Sequence, residues 1–132
     1  MFRRLLLIPV IISILVVNLA ACGSQPQQAP QYDPAKKYAA FLVANTAYSA
    51  DALKSAKEKS TRDGYEIGPV VYYDPGTKDF EALVTKLLPS KQIALVWVSG
   101  SLLDTPNIQK AIAAAQYKGL LRYMPVTGPS NQ

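Results

Sequence analysis

Along this chain the rhythm of apolar and polar positions changes several times, and each change predicts an element. Residues 38–44, Tyr-Ala-Ala-Phe-Leu-Val-Ala, form a short apolar run that reads as a buried strand, though its alanines also permit a helix. Residues 47–62 are rich in Ala, Lys and Glu and read as a helix, with Thr46 or Ser49 as N-cap and Gly64 at the stop. The apolar face of this helix is thin (Ala52, Leu53, Ala56), which predicts close approach to its sheet. Residues 68–74 read as a second strand, closed by Pro75 and Gly76. Thr77 is the expected cap of the next helix, with Asp79 in its first turn facing the positive end of the dipole. Phe80, Leu83, Val84, Leu87 and Leu88 then recur at helical spacing, the cleanest amphipathic stripe in the chain, and Pro89 ends it. Residues 93–98 are almost continuously apolar, as in a central parallel strand covered on both faces. Asp104 or Thr105, followed by Pro106, opens a third helix with Ile108, Ala111, Ile112 and Ala115 inward. Residues 120–126 are the last strand.

The order is βαβαβαβ. Right-handed crossovers between parallel strands make this an α/β fold, an open, mostly parallel four-stranded sheet with helices on both faces. A strand order of 2-1-3-4 is expected, with the first helix on one face and the other two opposite. The folded part spans 35–128, and 129–132 form a polar tail.

The first 34 residues follow different rules. A short basic segment over 1–4, with Arg3 and Arg4, precedes an apolar run over 5–17, and Leu19-Ala20-Ala21 leads to Cys22. This is the layout of a secretory signal peptide over 1–21. The run is short for a membrane span, so an uncleaved anchor is the weaker reading. Leu-Ala-Ala-Cys resembles a bacterial lipobox, which implies cleavage before Cys22 and acylation of its sulfur. Cys22 is the only cysteine, so no internal disulfide can form, and a thioether to lipid would keep an exported thiol from mispairing. Residues 22–34, rich in Gln and Pro, read as a semi-extended tether. The expected location is the cell envelope, lipid-anchored to a membrane: the periplasmic face of the outer membrane in a Gram-negative cell, the outer face of the cell membrane in a Gram-positive one.

Charge narrows the function. The formal net charge is +5, and it falls to +3 once Arg3 and Arg4 leave with the signal. The basic residues are spread along the sequence, with only Lys54, Lys57, Lys59 and Arg62 clustered, interleaved with Glu58 and Asp63 as on a solvated helix face. No aromatic-basic interleaving accompanies them, so nucleic acid is not an expected partner. The chain has no histidine. With Cys22 acylated, that removes the commonest general base and most metal chemistry. No nucleophile-base pair, metal spacing or phosphate loop is present, and neither an enzyme nor a cofactor is expected.

One run of motifs resembles a known family. Tyr48-Ser49 is followed by a helix over 51–62, Gly64 and a strand over 70–73. Then come Asp74-Pro-Gly-Thr-Lys-Asp-Phe-Glu-Ala-Leu-Val84, a strand over 93–98, a glycine-containing loop, and an Ala/Gln-rich helix ending at Gly119. In order and spacing these resemble the type 1 periplasmic binding proteins, the branched-chain amino acid receptors of ABC transporters. The similarity covers about residues 38–128, the first part of the family's second lobe. It implies a solute-binding lipoprotein with a small polar ligand, such as an amino acid or amide, and an ABC permease as a partner.

In open parallel sheets ligands sit beyond the carboxyl ends of the strands. The candidate ligand-binding residues there are Tyr48, Ser49, Ser99, Gly100, Ser101 and Thr127. Tyr48 matches the aromatic that the family's first strand-helix loop lends to its cleft. Ser101 stands where amino-acid receptors often carry an aromatic, and Thr127 stands near a position that often carries an acid. Both depart from a zwitterion-binding pattern. Ser99-Gly100-Ser101 adds a flexible turn, two hydroxyls and a nearby helix N-terminus suited to an anion or carboxylate. Because the resemblance implies one lobe, a homodimer or a separate partner would complete the cleft. The alternative reading is an envelope lipoprotein that uses this lobe as a protein-interaction or dimerisation module. Its motive is that one helix cannot cover a face of a four-stranded sheet. Tyr72-to-Leu88 supplies core and register, and Trp97 packing, rather than ligand contacts.

Overall fold

A computed structural model describes residues 29–100 and 103–124 of the chain. The signal segment, Cys22, Ser101, Thr127 and the polar tail lie outside the described residues. Seven elements alternate: β1 (Tyr38–Ala44), α1 (Ser49–Arg62), β2 (Glu66–Tyr73), α2 (Phe80–Leu87), β3 (Ile93–Ser99), α3 (Thr105–Ala114) and β4 (Leu120–Tyr123). They form one four-stranded sheet in the order β2-β1-β3-β4, with every pairing parallel. The architecture is the α/β arrangement that the alternation of patterns predicts.

The central strands β1 and β3 are buried on both faces, which is why their sequences do not alternate. Their side chains divide into two cores. Ala39, Phe41, Val43, Leu95 and Trp97 meet Leu53 and Ala56 of α1. Ala40, Leu42, Ala44, Val96 and Val98 meet Phe80, Val84 and Leu87 of α2 and Ile108, Ala111 and Ile112 of α3. The first helix thus covers one face and the other two cover the opposite one. Outer strands on the α1 face stay partly uncovered. Tyr72 is 58% exposed, Leu120 53% and Ile67 40%, and their register partners Val43, Leu95 and Ala39 all belong to the α1 core.

The thin face of α1 is compensated by a polar contact. Trp97 Nε1 donates to Ser60 Oγ at 2.9 Å, and Ser60 Oγ donates to the Ala56 carbonyl at 2.8 Å, with Ser60 fully buried. Arg122 of β4 stacks 5.6 Å from the Trp97 ring centroid and bonds Asp63 at 3.1 Å. A serine that reads as surface-polar in the helix sequence is therefore part of the core.

Several boundaries differ from the sequence expectations. Neither Thr46 nor Ser49 caps α1: Tyr48 stands at the N-cap with no side-chain bond, and the helix begins at Ser49. Asp79, not Thr77, caps α2, its carboxylate accepting from Ala82 N at 3.3 Å. Thr77 instead donates its hydroxyl to the Asp74 carbonyl at 2.6 Å, inside the turn. Third in line, α3 stops at Ala114, short of Gly119, because Gln116 adopts a left-handed conformation (φ 55°). Gly64 does end α1 as predicted, at φ 87°. Strand β2 carries one more residue than β1 between their paired positions Ala39–Ile67 and Phe41–Val70, a bulge at Gly68-Pro69. Proline is tolerated because β2 is an edge strand, where it also hinders pairing with another chain.

Candidate functional site

In a parallel sheet every strand ends on the same side, so two chemically distinct ends result. The carboxyl end carries the topological switch point. The connection from β1 crosses to β2 on one side and that from β3 to β4 on the other, so the chain diverges after β1 and β3, the arrangement in which open parallel sheets form a binding crevice. Tyr48, Ser49, Ser99 and Gly100 lie on the loops after these strands or at their boundaries, and the topology brings both groups to the crevice.

Within it the residues are not equally free. Tyr48 is about half exposed. Ser49 is buried, and its hydroxyl is engaged with the Ala44 carbonyl and with Thr46 Oγ1. Ser99 is also buried, and its carbonyl accepts from the Tyr73 hydroxyl at 3.0 Å. That same hydroxyl explains Gly100: a Cβ there would stand 2.5 Å from Tyr73 Oη and 3.3 Å from Ile108 Cδ1. The missing Cβ makes room for Tyr73. Asn45 donates Nδ2 to Asp74 at 3.1 Å, joining the loops after β1 and β2.

Tyr73 was not singled out by sequence as a site residue, yet it organises this end. It packs edge-on against Phe80 with centroids 5.2 Å apart. Burial, and then the negative charge of Asp104, push its phenol up to about 12. Asp104 itself is buried at the N-cap of α3. Its carboxylate makes no capping bond, but a negative charge beside the positive end of the α3 dipole reduces the capacity of that end for the anion expected near Ser99-Gly100-Ser101.

A concavity formed by described residues lies at the opposite end, where the strands begin. It encloses about 810 Å³ and is lined by Tyr65, Leu88 and Tyr117, with Lys37, Lys91 and Lys118 among the residues around it. Burial, and then the neighbouring Tyr65, push the Tyr117 phenol up to about 12. The lysines come from the loops that lead into β1, β3 and β4. They are far apart in sequence, so the linear reading saw basic residues spread along the chain. The signal that would have found them is topological: residues that immediately precede parallel strands must converge. A smaller depression of about 370 Å³ lies between α2 and α3, where Lys78, Asp79, Glu81 and Lys110 meet.

Charge separates along the strand axis. Lys36, Lys37, Lys91 and Lys118 precede strands, while Lys59, Arg62 and Lys86 occupy the last turns of α1 and α2. All of these lie at the amino end of the sheet. Asp51, Asp79, Glu81 and Asp104 lie in first turns or caps, and Asp74 follows β2, all at the carboxyl end. Three acids at the amino end are held by local contacts. Glu66 pairs with Lys36 at 3.2 Å. Asp63 takes Arg122 at 3.1 Å and Lys59 at 3.3 Å, and these two cations hold its carboxyl below the usual range. Asp33 accepts from Ala35 N at 2.9 Å. Among the described residues Lys37, Lys91 and Lys118 make no ion pair.

No group of three or more acidic, His or Cys side chains among the described residues could hold a metal ion. No described helix is long and apolar enough to cross a membrane. No protein-family model matches the chain, and no curated protein matches it in sequence.

Proposed function

We propose that this chain is a membrane-anchored, solute-binding lipoprotein related to the receptors of ABC transporters, holding a small polar solute at the crevice between the loops after β1 and β3. The observation that carries this reading is the switch point itself, the position where open parallel sheets bind ligands. Tyr48, half exposed beside it, supplies the aromatic surface, and backbone groups around Ser99 and Gly100 supply polar contacts. The acidic residues gathered at this end favour a solute bearing an amine or amide donor over a free anion. A half-cleft buries only part of such a solute, so a second copy or an ABC permease completes the enclosure. Acylation of Cys22 keeps the domain at the envelope membrane.

Thermal-shift screening of the chain from residue 22 onward against amino acids, amides and small carboxylates tests the solute. Stabilisation by an amine- or amide-bearing compound, lost in Tyr48→Ala, is expected. No shift at millimolar concentration from any compound counts against the site. Metabolic labelling with an alkyne fatty acid tests the anchor: label in the parent protein and none in Cys22→Ser is expected.

A second reading draws on the exposed Ile67, Tyr72 and Leu120 on the α1 face, which suit a protein-interaction or dimerisation module. Light scattering separates the two readings. A dimer dispersed by Tyr72→Ser supports the module, and a monomer that binds no hydrophobic dye removes its motive.

A further inference from the structure

The amino end of the sheet is basic, concave and adjacent to the point where the tether joins the domain. From these three facts we infer that this end is a docking surface for an anionic phospholipid bilayer, so that the domain rests on its own membrane with the crevice pointing away. The inference rests on the lipid anchor proposed above for its biological setting, but the surface itself is testable without the lipid.

Geometry comes first. The chain enters β1 at Tyr38, and Tyr32 packs edge-on against Tyr38 with ring centroids 5.0 Å apart. A turn with Lys36 N donating to the Asp33 carbonyl at 3.0 Å fixes the segment between them. The tether is thereby tied to the amino end of the sheet from residue 32 onward. Cys22 lies ten residues before Tyr32, which even fully extended is at most about 35 Å of chain. An acyl chain on Cys22 would hold the domain within that distance of the headgroups, with the tethered end the nearer one.

Charge then decides what the end meets there. Lys37, Lys91 and Lys118 line the concavity and make no ion pair among the described residues, and Arg62 and Lys86 add to the same end. Exposed lysines on long flexible stems, around a floor that includes Leu88, Tyr65 and Tyr117, match the amphipathic boundary of a bilayer, where phosphates meet acyl carbons. The carboxyl end exposes Asp51, Asp74, Asp79 and Glu81 with Lys78 beside them, and this negative balance would be repelled from the same surface. One orientation is therefore favoured over its inverse by both ends at once.

The test uses the chain from residue 22 onward with Cys22→Ser, which retains every core residue and carries no lipid. Co-sedimentation is measured with vesicles of phosphatidylcholine alone and of phosphatidylcholine with phosphatidylglycerol, at low and high salt. Binding only to the anionic vesicles, released by salt, is expected. Lys37→Gln/Lys91→Gln/Lys118→Gln should weaken that binding about a hundredfold, from about fivefold per lysine at an anionic surface. Lys54→Gln/Lys78→Gln/Lys110→Gln removes the same charge elsewhere and should leave binding within a fewfold of the parent. Equal loss in both triple variants, or equal binding to neutral vesicles, overturns the inference. So does displacement of the protein from anionic vesicles by millimolar glycerol phosphate, which would make the concavity a pocket for a soluble anion. Failure of fatty-acid labelling at Cys22, by contrast, removes the anchor and leaves the vesicle result intact.

Discussion

Replacing Ser60 with alanine should destabilise the domain far more than a surface-like serine in a helix normally would. The Ser60 hydroxyl is the sole hydrogen-bond partner shown for Trp97 Nε1, at 2.9 Å, and Trp97 is only 6% exposed. Alanine leaves that indole N–H buried and unpaired, a loss of about 1–3 kcal/mol. The second bond of Ser60, to the Ala56 carbonyl at 2.8 Å, matters less because that carbonyl lies within the helix ladder. Alanine's better helix propensity returns roughly 0.5 kcal/mol. The net expectation is about 0.5–2.5 kcal/mol, or roughly 2–20 °C in Tm for a domain of this size. Urea unfolding followed by far-UV circular dichroism measures it. The decisive comparison is Ser60→Ala in a Trp97→Phe background, where no N–H remains to be orphaned. There the serine change should be close to neutral, a coupling of about 1 kcal/mol or more. Equal effects in both backgrounds would refute the argument, and Trp97 would then be held by packing alone.

Three further outcomes follow from the same structure. Gly100→Ala should destabilise by about 1–3 kcal/mol, since the new Cβ displaces the Tyr73 hydroxyl from Ser99, and Tyr73→Phe in the same chain should relieve part of it in denaturant titrations. Ala56→Leu should destabilise by a similar amount, about 1–3 kcal/mol, by levering the closely packed α1 off β1 and β3, read as a lowered urea midpoint. Alkaline pH should lower stability between about 10 and 12. Tyr73 and Tyr117 are raised to about 12 in the fold against 10.0 unfolded, so above pH 10 the unfolded chain loses protons that the folded one keeps. That stability is complete below pH 10, and Tyr73→Phe should flatten the alkaline limb of a Tm-against-pH curve.

The fold was legible because its elements announce themselves independently. The apolar run at 93–98 marks a strand buried on both faces, the stripe from Phe80 to Leu88 marks a helix, and their alternation leaves few parallel topologies. The candidate crevice was legible for the same reason, since strand order alone determines where it lies. Side-chain roles were not. Ser49 and Ser99 have residue types suited to binding, but whether their hydroxyls and carbonyls face a ligand or the core depends on backbone turns one residue wide. Ser60 illustrates the converse. Its partner is 37 residues away in another element, a pairing that no local pattern contains. The cap of α2 passed from Thr77 to Asp79 for a local reason, because the turn after Asp74 engages the threonine first.

Parallel topology also links the two ends of the molecule. Each helix runs back against its strands, so all three helix N-termini reach the carboxyl end of the sheet and all C-termini the amino end. Helix dipoles favour acids at the first and cations at the second. Asp51, Asp79, Glu81 and Asp104 occupy the first set of positions, while Lys59, Arg62 and Lys86 occupy the second. Stabilising each helix locally therefore polarises the whole domain. Dipole compensation, however, accounts only for residues within a turn of a helix end. Lys37 and Lys91 directly precede strands, and Lys118 lies beyond the last turn of α3, where they improve no helix. Parallel topology alone brings these three positions together; that each of them carries a lysine is what the proposed anionic surface would account for.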